Sequence, residues 1–159
     1  MASILFVCLG NICRSPAAEG VLRHFSKKHS LLKDIHVKSC GTNNCFAGKL
    51  PDTRMQEATK KRGIVLNSRA QQFKPDFLDE FDYILCADHS VLNTLYAYTT
   101  NPAQKAKIHL ITHFSKSYHN EEVPDPYYGG DDSFEVVLNI IEDSCEGLIE
   151  HIIKQKSKN

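Results

Sequence analysis

Charge of neither sign predominates in this chain, because its 19 basic and 19 acidic residues cancel among 159. That balance excludes bulk electrostatic attraction to nucleic acid or to an anionic membrane surface. Recognition of an anion must therefore be local. Long apolar runs are missing too: none approaches the roughly 18 residues that span a bilayer. The run Ile4–Leu9 is too short for the core of a secretion signal and has no basic lead. These absences point to a cytoplasmic protein, with neither nucleic acid nor membrane as partner. In that compartment the six cysteines are read as reduced thiols rather than a disulfide framework. Internal repeats and low-complexity segments are absent as well. What remains is an ordinary globular composition, 42% hydrophobic and 24% charged, and residues 1–159 suit one domain.

The pattern along the chain alternates strands and helices. SILFVC is a continuous apolar run, as in a strand buried on both faces. Ser15 and Pro16 give an N-cap and first-turn signal, and Ala18, Val21, Leu22 and Phe25 follow at helical spacing. DIHVKSCG reads as a second strand ending at Gly41. LPDTRMQEATKKRG reads as a helix opened by Pro51 or Asp52 and closed by Gly63. FDYILCAD is a third strand, whose Asp88 can cap the helix HSVLNTLYA, and AKIHLI is a fourth. A long loop, THFSKSYHNEEVPDPYYGG, leads to a closing helix with Phe134, Val137, Leu138, Ile141, Leu148 and Ile152 on one face. The final KQKSKN reads as a frayed polar tail, and KKHSLLK as a solvated helix end. Such alternation predicts an α/β fold: a parallel sheet packed between helices, with ligands bound beyond the carboxyl ends of the strands. Cys8, Cys86, Asp88 and the loop after Leu110 all belong at that edge.

The stretch from Cys8 to Ser15, CLGNICRS, lies where the first strand turns into the first helix. Gly10 lets the backbone approach a ligand, and Asn11 tolerates a left-handed conformation. Amides at the helix start lack partners and carry a positive partial charge, so the loop forms a nest for a phosphate-like anion. Arg14 adds a planar fork for two oxygens, and Ser15 a hydroxyl near the loop floor. A sulfur beneath such a site should be held as thiolate, with the Cys8 pKa well below ~8.5. The chemistry this predicts is phosphoryl transfer to Cys8 followed by hydrolysis of phosphocysteine. C-x5-R alone is a weak signal. The strand before it, the helix after it and the glycine, asparagine and serine within it sharpen the pattern. The plainer reading is a buried cysteine and a surface arginine at a helix start.

A second motif supplies an acid. In VPDPYYGG, Asp125 stands between two prolines that restrict its backbone. A phosphate and a thiolate nearby would raise its pKa toward a general-acid role. Tyr127 and Tyr128 offer flat apolar surface for an aromatic substrate. The plainer reading here is a Pro-Asp-Pro turn with its tyrosines on the core.

CLGNICRSPAAEG, SCGT, LPDTR, FDYILCAD and EVPDPYYGG together resemble the low-molecular-weight protein tyrosine phosphatases, in that family's order and over nearly the whole chain. The resemblance implies a four-stranded parallel sheet with flanking helices and no cofactor or metal. It implies Cys8 as nucleophile, Arg14 as phosphate clamp and Asp125 as general acid and base. The substrate-binding set would be Leu9, Gly10, Asn11, Ile12, Cys13, Ser15, Phe46, Tyr127 and Tyr128, with Asn11 and Ser15 shaping the loop. Cys13 resembles a second loop cysteine able to trap the oxidised nucleophile as a disulfide. The substrates implied are phosphotyrosine-containing proteins and small aryl phosphates, including acid phosphatase activity. Inhibition by phosphate, sulfate or vanadate is implied too, for a monomer or weakly self-associating chain.

Two positions depart from the family pattern. Where many members carry an aromatic residue, alignment on Gly48 puts Cys45, with Phe46 beside it. Where vertebrate-type members brace the phosphate loop with histidine, Ser68 stands here. Among rivals, arsenate reductases share the fold and loop but relay oxidation through two later cysteines a few residues apart, and Cys86 has no such neighbour before Cys145. Protein-arginine phosphatases carry threonine where this loop has Ile12. The pairs Cys8/Cys13 and Cys40/Cys45 have C-x4-C spacing that a structural zinc site could use. A non-catalytic phosphoprotein-binding module is a further alternative. Cys40, Cys86 and Cys145 read as small apolar fillers, and the eight histidines show no metal spacing.

Overall fold

The structure is a computed structural model describing residues 2–158. Four parallel strands form one sheet: β1 (Ser3–Cys8), β2 (His36–Gly41), β3 (Tyr83–Cys86) and β4 (Ile108–Leu110), in the order β2-β1-β3-β4. Strand β1 is central because both its edges are paired, Cys8 with Gly41 on one side and Val7 with Cys86 on the other. Its side chains alternate between two cores. Ile4, Phe6 and Cys8 face one, Leu5 and Val7 the other, and none is more than 3% exposed. Truncating Phe6 alone to alanine would cost about 3–5 kcal/mol.

Helices cover both faces. On the Cys8 face, α1 (Arg14–Ser26) packs against α6 (Asp131–Ser157), with α2 (Thr53–Lys60) alongside. Ala18, Val21 and Leu22 of α1 meet Val137, Ile141 and Leu148 of α6 in one cluster, while Phe25 is only half-buried against it. On the other face lie α3 (Phe77–Glu80) and α4 (His89–Tyr96), whose Phe77, Val91 and Leu95 cover Leu5 and Val7. A one-turn helix, α5 (Pro102–Lys105), leads into β4. None of the described helices is long and apolar enough to cross a membrane.

Several boundaries differ from the sequence reading. Helix α1 begins at Arg14 with Cys13 at its cap position and no side-chain cap. Ser15, expected as the cap, is fully buried and turns its hydroxyl into the loop instead. Past Ser26 the lysines and His29 are exposed, but the chain turns through a 3-10 segment that buries Leu32. The long loop opens with a 3-10 turn over Ile111–Phe114 before running irregularly to Gly130. Helix α6 continues through Ser157 rather than fraying at Lys154; Asn159 lies outside the described residues. Asp52 and Asp88 cap α2 and α4, accepting from Arg54 N and Val91 N.

Helix α6 crosses the 3-10 turn closely at Gly147, where a Cβ would stand 1.8 Å from the Phe114 carbonyl oxygen. The propensity gain of alanine, about 1 kcal/mol, is small against a backbone clash of that depth. Gly147→Ala is expected to destabilise the fold by about 1–3 kcal/mol, read as a lowered urea midpoint. An unchanged or raised midpoint would show that the helix and turn can separate freely.

Candidate active site

Strand β1 delivers Cys8 to the carboxyl edge of the sheet, and the chain then loops over residues 9–13 into α1. The loop crosses the end of β2 so closely that a Cβ on Gly41 would lie 2.8 Å from the Leu9 carbonyl oxygen and 3.0 Å from Asn11 N. The extension of β2 tethers it: Thr42 N donates to Cys8 O, and Asn43 N to Leu9 O. Asn11 takes φ +59°, a conformation asparagine tolerates better than most residues.

The buried side chain of Asn11 organises what lies beneath. Its Nδ2 donates to Ser15 Oγ at 2.7 Å and Ser39 Oγ at 3.0 Å, and its Oδ1 accepts from Gln71 N at 3.0 Å. Its own backbone N–H points at Cys8 Sγ, 3.3 Å away. Ser15 Oγ lies 2.9 Å from the same sulfur. Behind Ser39 the chain of bonds continues to Glu19 and then Arg23.

Arg14 is 3% exposed. Its Nη1 donates to Asp88 Oδ2 at 2.8 Å and to the Val123 carbonyl at 2.9 Å, while Nη2 stands 3.8 Å from Asp125 Oδ2. Burial by itself disfavours the charge on Arg14. The Cys8 sulfur, the bond to Asp88 and the two carboxylates outweigh it, so the guanidinium is held above its ordinary pKa. Cys13 behaves oppositely. Burial, then the charges of Asp52, Cys8 and Asp125, push its thiol up to about 12.

Cys8, Leu9, Gly10, Ile12, Cys13 and Arg14 form the floor of one cleft of about 120 Å3, and Phe46, Asp125, Tyr127 and Tyr128 its walls. A larger cavity, about 340 Å3, lies between α1 and residues 63–68, away from the sulfur; it holds none of the converging reactive groups. Asn11 and Ser15 do not line the cleft. They are buried behind the loop, at 2% and 0% exposure. Phe46 fills the wall position: its ring is 6.0 Å from that of Tyr127 and touches the site of a Gly10 Cβ, while Cys45 is exposed outside the cleft. Tyr127 is half-buried; Tyr128 is almost wholly exposed. The Ser68 position lines the larger cavity, and the loop is braced through Ser39 and Gln71.

A sequence model of the family described as low molecular weight phosphotyrosine protein phosphatase matches residues 3–158. The chain belongs to this family. A low molecular weight phosphotyrosine protein phosphatase of Rattus norvegicus is 39% identical over 152 residues, 93% of this chain and 94% of the relative. A protein tyrosine phosphatase from Entamoeba histolytica superposes with a TM-score of 0.92 at 37% identity, over 98% of this chain and 99% of that one. The arginine phosphatase of Drosophila also shares the fold, at TM-score 0.86 and 32% identity over 94% of this chain and 97% of that one. This chain is thus a protein tyrosine phosphatase of the low molecular weight class, and phosphoproteins are its substrate class.

Within this phosphatase, sequence reasoning missed Asp88 as the partner of Arg14, although its place at the end of β3 was a signal. It also missed Asn43 in the cleft and the supports Ser39 and Gln71, whose polar bonds carry no periodic signature. Among the described residues, no three His, Cys, Asp or Glu side chains gather as metal ligands. Asn11→Ala removes three side-chain hydrogen bonds under a strained backbone. It is expected to cost about 1–3 kcal/mol of stability and at least about tenfold in kcat/KM on an aryl phosphate. Unaltered denaturation and kinetics would separate the asparagine from loop geometry.

Proposed function

We propose that this phosphatase hydrolyses phosphotyrosine in proteins, and small aryl phosphates, through a phosphocysteine intermediate. One observation carries the reading: Cys8 Sγ, Arg14 Nη2 and Asp125 Oδ2 converge on one phosphate-sized cleft, with the last two 3.8 Å apart. The Cys8 thiolate attacks phosphorus while the ester P–O bond breaks. Asp125, in its protonated form, gives its proton to the departing phenolic oxygen. Water then attacks the phosphocysteine, Asp125 takes a proton from it, and phosphate leaves as the S–P bond returns its electrons to sulfur. Loop amides and the Arg14 fork stabilise the equatorial oxygens in both steps.

Several features favour this over its rivals. The Asn11 N–H and the Ser15 hydroxyl are placed to stabilise an anionic sulfur at Cys8. Cys13, pushed up to about 12, stays protonated at neutral pH, which leaves Cys8 as the loop's nucleophile. Cys86 and Cys145 are sealed in separate cores at 0% and 1% exposure, unlike a relay for arsenate reduction. Ile12, Phe46 and Tyr127 give the cleft an apolar lining that suits an aryl ring better than a guanidinium. The same reading has the chain act as one domain over residues 1–159 in the cytoplasm, without cofactor, as a monomer or weak self-associate. It also has inhibition by phosphate, sulfate or vanadate, and reversible silencing by peroxide through a Cys8–Cys13 disulfide.

Cys8→Ser is expected to abolish turnover while keeping phosphate affinity; multiple turnovers in that variant would remove Cys8 as nucleophile. Asp125→Ala is expected to slow phenyl-type esters by about 10²–10⁴-fold and esters of strongly acidic phenols far less, so equal losses on both would remove its acid role. Steady-state rates on phosphotyrosine, phosphoserine and phosphoarginine peptides should favour the first; a preference for phosphoarginine would overturn the substrate assignment.

A further inference from the structure

We propose that Arg54 is a positioning residue for the general acid, a strut that ties the loop carrying Asp125 to the loop carrying Cys8. The inference rests on the reading of Asp125 as that acid. Asp125 lies on an irregular segment and its side chain is 40% exposed. Its Oδ1 accepts from Tyr127 N, a bond inside its own turn, and its Oδ2 is 3.8 Å from Arg14 Nη2. The first lies inside the turn, and the second is an ion pair at 3.8 Å, too long for a hydrogen bond, so it ties the turn to the fold only loosely. Before Asp125 the segment is pinned at Val123, whose N–H donates to Ala87 O and whose carbonyl accepts from Arg14. After it, Pro126 is buried and Tyr127 packs against Phe46, and the side chain that hydrogen-bonds the backbone there is Arg54.

Arg54 Nη2 donates to Tyr127 O at 2.8 Å, and Nη1 reaches Gly129 O at 3.5 Å. The guanidinium also lies over the rings of Tyr127, at 5.6 Å, and Phe134, at 4.8 Å. Its other edge is held by Asp52: Nε donates to Oδ1 at 3.2 Å, Nη2 to Oδ2 at 3.0 Å, and the Arg54 backbone N–H to Oδ1 at 2.8 Å. Asp52 N in turn donates to the carbonyl of Ile12, inside the phosphate loop, at 2.8 Å. A continuous path therefore runs from Ile12 through Asp52 and Arg54 to Tyr127, two residues past the acid. Burial pushes Asp52 up, but its bonds from Arg54 outweigh that and hold it below its ordinary pKa, so the anchor stays ionised. Lysine cannot replace this arrangement, because a point charge cannot hold the carboxylate pair and the Tyr127 carbonyl in one plane.

Asp125 acts in both steps, but only in the first does its contribution depend on the leaving group, so the strut's signature lies there. With Pro124 and Pro126 stiffening the turn, releasing its far end displaces the carboxyl, and a displacement of about 1 Å is enough to cost up to about 100-fold. The test compares Arg54→Met and Arg54→Lys with the parent enzyme on phenyl phosphate and on an aryl ester with a strongly acidic leaving group. Both variants should lose about 10–100-fold in kcat/KM on phenyl phosphate, with little loss in kcat/KM on the activated ester and unchanged inhibition by inorganic phosphate. In an Asp125→Ala background the same substitutions should remove nothing further from the phenyl phosphate rate. Equal losses of kcat/KM on both esters, or additive losses in the Asp125→Ala background, would overturn the proposal. Thermal unfolding of Arg54→Lys, which keeps the charge, checks that a folded enzyme is compared. If Asp125→Ala alone lost equally on both esters, the acid assignment itself would fail, and the strut would fall with it.

Discussion

Asn11 holds a backbone conformation that L residues avoid, at a cost of about 1–2 kcal/mol. Three hydrogen bonds of its buried side chain, to Ser15, Ser39 and Gln71 N, offset that cost at about 0.5–1.5 kcal/mol each. The sign of the sum matters because the turned backbone is what aims the Asn11 N–H at Cys8 Sγ. It also curls the loop over the end of β2, which Gly41 permits by presenting no Cβ to Leu9 and Asn11. Everything proposed for the Cys8 side of the cleft follows from that one held turn at the end of the central strand.

Charge is handled locally in a chain whose totals cancel. Arg14 is buried, yet Asp88 occupies one of its terminal nitrogens at 2.8 Å and leaves the other beside Asp125. Removing one partner of a buried pair is costly because the survivor is left uncompensated. Asp88 therefore fixes the pose of the Arg14 guanidinium as much as it neutralises it, and it does so from the N-cap of α4. Asp125, the proposed acid, is held differently, on an irregular segment pinned at Val123 and Tyr127. The cleft thus joins a rigid half, built on strand ends, to a half whose geometry depends on a few side-chain bonds.

Much of this was legible in the sequence. The run SILFVC announced a strand buried on both faces, and Cys8 and Arg14 marked the turn that follows it. Asp52 and Asp88 opened helices because capping is a local property, whereas α2 ends at Lys60, three residues before Gly63, which was expected to close it. Short elements were not legible: α3 and α5 are four residues each, too short to show helical periodicity. Ser15 carried a cap signal that tertiary bonding overrode, since Cys8 and Asn11 claim its hydroxyl. Alignment on Gly48 put Cys45 in the aromatic position, yet the backbone there turns so that Phe46 enters the cleft. Arg54 and Asp52 sat in a recognised motif, but the bond from Arg54 to the Tyr127 carbonyl spans 73 residues and has no sequence signature.

The central claim is a covalent bond between Cys8 sulfur and phosphorus during turnover. The most direct measurement is to quench the enzyme in acid while it hydrolyses a phosphorus-labelled aryl phosphate, digest it, and locate the label. The account requires the label on the peptide containing Cys8, appearing within one turnover. Label on any other side chain, or release of phosphate with no labelled enzyme at any quench time, would contradict it.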